Sequence, residues 1–226
     1  KRLRESGTEV EIGLRQKEAV ALNKRFFTAF EKKRPYIILK WAQTADGFIA
    51  RENYDSKWVS DEHSRALVHL WRSQEDAILV GKNTARYDNP KLNVRDLAGN
   101  NPLRVVIDHY LELDSGLHLF SDGIATLCYN TTESRYENNV EYVKIESIHF
   151  IDELLIDLAS RGIQSLIVEG GAQTLNIFIA QSLWDEARVF ESASIFKKGI
   201  PAPQILKKSH HMETLISDKL FLYRNK

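Results

Sequence analysis

Several polar residues stand in this chain where packing alone would not put them. Lys40 interrupts the apolar run YIILKWA, and Glu169 closes the apolar run SLIV against Gly170 and Gly171. A lysine between Leu39 and Trp41 must snorkel, pair or face a cavity. A strand running through glycine into a helix brings backbone amides close to a ligand phosphate, because glycine has no Cβ and the helix N-terminus carries partial positive charge. The stretch SLIVEGGAQTL therefore suggests a bound nucleotide. Glu169 is either a partner for the dipole of the helix that follows or a ligand contact. The polar stretch GKNTARYDNPKLNVR carries Thr84 and Asp88 and ends in Arg95, which either forks onto a phosphate or is a solvated loop charge. Trp58 could stack on a planar ring or belong to the core. Arg72 ends a helical stretch, where the helix dipole alone would account for it. Asp46-Gly47 reads as a hairpin turn between two apolar runs.

Other chemistries are excluded by what the pattern lacks. There is no G-x-G-x-x-G fingerprint, so a nucleotide here is not held in the usual dinucleotide manner. The stretch around Lys82 is not a P-loop, because Asp76 stands where the first glycine is required and no Ser or Thr follows the lysine directly. No G-x-S-x-G elbow occurs. Seven histidines are scattered, and His210-His211 lacks the spacing of zinc ligands, so no metal site is read. The single cysteine, Cys128, excludes an intrachain disulfide and reads as a small core residue. With 31 basic and 31 acidic residues there is no net field to attract nucleic acid or an anionic membrane, and a small ligand fits better. Without an apolar run of membrane-spanning length, the chain is expected to be soluble and cytoplasmic.

These positions need a scaffold, and 226 residues suffice for one large domain, or for one domain plus an appendage. Short β-branched runs at 36–42, 77–81, 103–108, 124–130, 140–145 and 165–170 read as buried strands. Between them, Ser60 offers an N-cap for a helix reaching about residue 73, and Ile151, Leu154, Leu155 and Leu158 stripe a second helix that Gly162 ends. A third helix follows the glycine pair. EARVFESASIF and KLFLYRNK return to strand character. The pattern predicts an α/β fold, a mixed, mostly parallel sheet flanked by helices, with its ligand beyond the carboxyl ends of the strands. Ala19, Leu22, Phe26 and Phe30 predict one helix over 16–31, and residues 1–34 are expected to be the tail of a preceding domain or a linker, with 35–226 the main domain.

In order and spacing, LKWAQTADG, SKWVSDEHSR, the helix end at Arg72, ILVGKNTARYDNPKLNVR, LRVVID and VEGGAQTL resemble the reductase domain of the bifunctional riboflavin-biosynthesis deaminase/reductase. The resemblance covers about residues 36–190. It implies a dihydrofolate-reductase-like fold, NADPH as cofactor, and reduction of 5-amino-6-(5-phosphoribosylamino)uracil to the ribitylamino compound. It also implies a homodimer. The opening residues resemble the end of the family's deaminase domain, whose zinc signature is absent from this chain. By the same resemblance, Ala42, Trp58, Thr84, Asp88, His109 and the segment Gly171, Ala172, Gln173, Thr174, Leu175, Asn176 and Ile177 contact the cofactor. Ser56, Arg72, Leu92, Arg95 and Glu169 contact the substrate, with Arg72 and Arg95 on its phosphate. Lys40 and Glu169 stand at the reacting centre. Thr44 replaces the usual serine, His109 replaces a small polar residue, and SASIFKKGIPAP departs from a more apolar pattern with paired glycines. The alternatives are a pteridine-type reductase of the same fold and a nucleotide-binding module without catalysis.

Overall fold

The structure, a computed structural model, describes residues 1–56, 59–95 and 97–225. In chain order the elements begin α1 (Arg2–Glu5), α2 (Gln16–Leu22), α3 (Lys24–Lys32), β1 (Tyr36–Gln43), β2 (Phe48–Ala50), α4 (Glu62–Arg72), β3 (Ala77–Gly81) and α5 (Lys82–Asp88). They continue β4 (Leu103–Ile107), α6 (His118–Ser121), β5 (Thr126–Asn130), β6 (Arg135–Glu137), β7 (Val140–Lys144), α7 (Phe150–Ser160), β8 (Ser165–Val168) and α8 (Ala172–Ala180). The chain closes with β9 (Glu186–Glu191), β10 (Ile200–Pro201), β11 (His211–Thr214) and β12 (Lys219–Arg224).

One sheet runs β11-β12-β9-β1-β8-β3-β4-β5-β7-β6. Its strands are parallel from β9 to β7, and antiparallel strands close both edges. The central strands are buried on both faces, which is why they read as unbroken apolar runs and not as alternations. On one face Ile37, Leu39, Leu79, Val105 and Leu166 pack with Leu154, Leu155 and Leu158 of α7 and with Leu175 and Phe178 of α8. On the other, Ile38, Ile78, Val80, Val106 and Ile167 pack with Val68 and Trp71 of α4 and Ala85 of α5. Cys128 is wholly buried there, and burial pushes its thiol up to about 12.

The foreseen strands and helices form, with local differences. The expected helix over 16–31 breaks at Asn23, which ends α2 and starts α3. Asp61, not Ser60, caps α4, because its carboxylate accepts the Ser64 amide at 2.7 Å while Arg65 takes the Ser60 carbonyl at 2.6 Å. The strand expected from 124 starts at Thr126, since the Ile124 carbonyl is taken by the buried Arg104 guanidinium at 2.6 Å. The polar stretch after β3, expected to be a loop, begins as α5. Gly162, at φ +85°, ends α7 as expected, with the Ile163 amide reaching back to the Leu158 carbonyl at 3.1 Å. Residues 24–34 are tied to the base of the sheet: Lys24 pairs with Glu186 at 2.6 Å, Arg25 with Glu75, and Lys32 and Arg34 with Asp185.

Candidate active site

Parallel register builds the centre of the site. Leu39 pairs with Val168 across β1 and β8, so the next residues, Lys40 and Glu169, emerge side by side where the strands part. Ile38 and Ile167 belong to the face covered by α4, and the two-residue period returns Lys40 and Glu169 to that face. The last residue of α4 meets them there. Arg72 forks onto Glu169, Nε to Oε1 and Nη2 to Oε2, both at 2.8 Å, and its Nη1 donates to the Asn93 carbonyl at 3.3 Å. Lys40 Nζ lies 3.8 Å from Glu169 Oε2. The side chains of Lys40, Arg72 and Glu169 are 15, 12 and 8 % exposed, so the three charges sit in a largely dry environment.

Burial would raise the Glu169 carboxyl, but Arg72 and Lys40 together overcome it and hold the group at about 2. Burial lowers the Lys40 ammonium, an effect that Glu169 offsets in part and Arg72 reinforces. The result is a fixed carboxylate beside a lysine that gives up its proton more readily than an exposed one.

Beyond Glu169 the chain turns through Gly170, at φ +115°, into α8, whose N-cap Gly171 offers no side-chain cap. The Gly170 carbonyl accepts the Gly81 amide at 2.8 Å, which ties this turn to the end of β3. A Cβ on Gly171 would stand 3.1 Å from Thr84 Oγ1, and one on Gly81 would run into Thr174 Oγ1. The missing side chains therefore let β3, α5 and the first turn of α8 approach closely, with Thr174 and Thr84 in the gaps and the uncapped helix N-terminus open to solvent. That is the shape and polarity a cofactor phosphate requires.

A cleft of about 740 Å³ opens over these elements. Lys40, Ala42, Ser56, Arg72, Thr84, Asp88, Leu92, Arg95, His109, Glu169, Gly171, Ala172, Gln173, Thr174, Leu175 and Ile177 all line it. Asn176 does not; it is exposed on α8 outside the cleft wall. Trp58 lies outside the described residues. The two arginines read as a phosphate-anchoring pair separate here: Arg72 is committed to Glu169, whereas Arg95 stands exposed at the rim. Ser56 donates to Asp88 at 3.0 Å. Beside that bond Tyr54 and Tyr87 stack with ring centres 4.1 Å apart, closing the loop after β2 onto α5. His109 tilts against Phe150 at 4.3 Å, and its burial lowers its pKa, with Lys82 adding to the effect and Asp108 opposing it.

Asp46 does more than make its turn. Thr44 donates to its carboxylate at 2.6 Å, and the Phe196 and Lys197 amides donate at 3.1 and 2.7 Å. The divergent SASIFKKGIPAP segment is thereby fastened against β2, and Ile200, in β10, joins the cleft wall. Reasoning from the sequence passed over Tyr54, His69, Tyr87 and Lys82 as lining residues. Tyr87 and Lys82 were hidden because α5 is short and polar and gives no periodic signal.

Residues 35–196 match the family described as the RibD C-terminal domain. The chain belongs to that family. It is 34% identical over 206 residues to the riboflavin biosynthesis protein RibD of Aquifex aeolicus, covering 88% of this chain and 58% of the relative. A crystal structure of a diaminohydroxyphosphoribosylaminopyrimidine deaminase/5-amino-6-(5-phosphoribosylamino)uracil reductase from Thermotoga maritima superposes with a TM-score of 0.87 at 32% identity, over 99% of this chain and 66% of that one. The chain thus spans less than two thirds of these larger proteins. From Archaeoglobus fulgidus, a 2,5-diamino-6-ribosylamino-4(3H)-pyrimidinone 5′-phosphate reductase is 29% identical over 189 residues, 76% of this chain and 86% of that protein. Dihydrofolate reductase of Enterococcus faecalis shares the fold, with a TM-score of 0.52 at 12% identity over 84% of this chain and 95% of that one. The RibD C-terminal domain is therefore a dihydrofolate-reductase-like α/β sheet, and its cleft lies at the carboxyl ends of the central strands, as is general for such sheets.

Proposed function

We propose that this chain is the reductase of the riboflavin pathway, converting 5-amino-6-(5-phosphoribosylamino)uracil to its ribitylamino product with NADPH. One observation carries the reading: the Lys40, Glu169 and Arg72 cluster faces the same cleft as the uncapped N-terminus of α8. A phosphate-binding backbone thus adjoins a buried proton-holding lysine. The Archaeoglobus relative, which this chain covers over most of its length, is named as a ribosylamino-pyrimidine phosphate reductase and supports the same substrate class.

The amides of Ala172, Gln173 and Thr174 and the hydroxyl of Thr84 would hold the cofactor's phosphates, with Gly170 and Gly171 leaving the space. When bound, reduced nicotinamide supplies the hydride that opens the way from ribosylamine to ribitylamine at C1′. Lys40 holds a proton at its Nζ on the cleft floor, in place to be given to the sugar ring oxygen as its bond to C1′ breaks, while the C1′–N bond stays intact. Glu169 fixes Lys40 and Arg72 and offsets one of their two positive charges. Arg95, exposed at the rim, is the cation available to the substrate's 5′-phosphate; Arg72 acts through Glu169. Burial of Lys40 and Glu169 keeps water from competing for their charges.

The test is to supply the purified chain with NADPH and freshly deaminated pyrimidine phosphate and follow the loss of nicotinamide absorbance. Oxidation that needs the 5′-phosphate and is lost in Glu169→Gln and Lys40→Gln is expected. Equal turnover of a pteridine lacking phosphate would overturn the assigned substrate, and cofactor binding without any oxidation would overturn the assigned catalysis.

A further inference from the structure

The sheet order sets out the cleft as a ruler. Lys40 stands within β1, Glu169 follows β8, Lys82 follows β3 and His109 comes soon after β4, and these four strands are neighbours in that order. Strand spacing makes the distance from the first to the last about 14 Å. The N-terminus of α8 lies between these ends, because its Gly170 carbonyl and Thr174 side chain meet Gly81 of β3. A dinucleotide with its diphosphate on α8 and its reacting ring over Lys40 and Glu169 must lay its other nucleoside over β3 and β4. There the cleft is lined by Ile107, Ile151 and His109, which can flank a flat base, and by Lys82, Asn83 and Gln173.

Among these, Lys82 carries the fixed positive charge, and its ammonium is paired with Glu112, a residue outside the cleft wall. The backbone of the turn that carries Glu112 is fixed: Arg86 donates to the Glu112 carbonyl at 3.3 Å, and Asp108 accepts the Leu113 amide at 2.9 Å. Lys82 holds the Glu112 carboxyl below its usual range. A carboxylate with one charge and an exposed position is a weak partner, and a phosphate dianion competes for the same ammonium with more charge and more acceptor oxygens.

We propose that Lys82 recognises the 2′-phosphate of the cofactor's adenosine, with Glu112 as its resting partner, and that this pair sets the preference for NADPH over NADH. The inference rests on the reading of the cleft as a nicotinamide-cofactor site. NADH, with a ribose hydroxyl at that position, leaves the Lys82–Glu112 pair undisturbed. NADPH displaces Glu112 and gains a charge-assisted contact in its place.

Dissociation constants of NADPH and NADH, measured by calorimetric titration of the wild type, Lys82→Gln and Glu112→Gln, test this. Lys82→Gln should weaken NADPH by roughly tenfold or more while leaving NADH within about twofold. Glu112→Gln should tighten NADPH and leave NADH unchanged. Equal losses for both cofactors in Lys82→Gln, or an unchanged NADPH constant, would overturn the assignment to Lys82 while leaving the cofactor site standing. A wild type that binds neither dinucleotide would remove the site reading and this inference together.

Discussion

At the scale of single residues, the two arginines make the sharpest contrast. Arg72 is 12 % exposed and bidentate to a buried carboxylate, so Arg72→Ala strands Glu169 without its strongest partner. The expected cost is about 3 kcal/mol in unfolding, with a loss of kcat. Arg95 is exposed at the rim, and Arg95→Ala should leave the melting temperature in place and raise KM for the phosphorylated substrate. Denaturant melts and kinetics on the two variants separate these outcomes; a raised KM with unchanged stability in Arg72→Ala would contradict the ion-pair role. The pH dependence follows from the same cluster. Lys40 must be protonated to give a proton, and its pKa is lowered by burial, so kcat should fall as pH rises through a value below the ordinary lysine figure of about 10.4. Glu169 stays ionised until about 2, so it contributes no acid limb between about pH 4 and 8. The stabilising share of its lowered pKa is present above the unfolded carboxylate value and is lost only as pH falls towards 2. A kcat profile with an acid limb that disappears in Glu169→Gln would contradict this. Much of the cluster was legible in the sequence, because a lysine inside an apolar strand and a carboxylate before two glycines are anomalies of pattern. The pairing of Arg72 with Glu169 was not, since residues 97 apart meet only through the register of β1, β8 and the end of α4.

At the scale of elements, the joint between β3 and α8 decides whether a cofactor phosphate has room. The Gly81 amide donates to the Gly170 carbonyl at 2.8 Å, and its missing Cβ is the space that Thr174 Oγ1 occupies. Gly81→Ala should push Thr174 and the first turn of α8 towards the cleft and weaken NADPH by roughly tenfold or more, at a stability cost of about 1–3 kcal/mol. Removing the obstructing hydroxyl by Thr174→Ala in the same chain should restore most of the affinity, and titration of the single and double variants reads it. A double variant no better than Gly81→Ala would show that the steric account is wrong. The central strands and the helices α4, α7 and α8 could be read from sequence because burial on both faces, or on one stripe, leaves a periodic trace. Helix α5 could not, as Ala85 is its one buried residue. The edge strands β6 and β11 are exposed throughout, so no apolar alternation marks them.

For the whole molecule, the question is where the folded domain begins. The sequence pattern put the boundary at residue 34, because charges dominate before Pro35 and apolar strands follow it. Those charges are themselves the attachment. Arg25 reaches Glu75, a carboxylate only 4 % exposed, at 2.7 Å, while Lys24 reaches Glu186 and Lys32 and Arg34 share Asp185. Glu75 retains Arg188 as a partner at 3.8 Å, and Arg188 lies over the ring of Trp71, 4.6 Å from its centre. The base of the sheet and the end of α4 that carries Arg72 are thus joined through one buried set of charges. Residues 1–15 make no comparable ion pairs among the described residues. Deleting 1–15 should therefore leave the thermal midpoint within a degree or two, whereas deleting 1–33 removes α3 and leaves Glu75 and Glu186 short of partners. At about 3 kcal/mol for a buried pair broken from one side, and about 2–4 °C per kcal/mol in a chain of this size, the longer deletion should lower the midpoint by roughly 10 °C. Glu75→Gln, which removes the stranded charge, should recover part of that loss in the longer deletion and cost stability in the full chain. Scanning calorimetry on the two truncations and the substituted pair decides the matter: equal midpoints for both truncations would place the boundary at Pro35 after all, and a fall confined to the longer one would place it before Lys24.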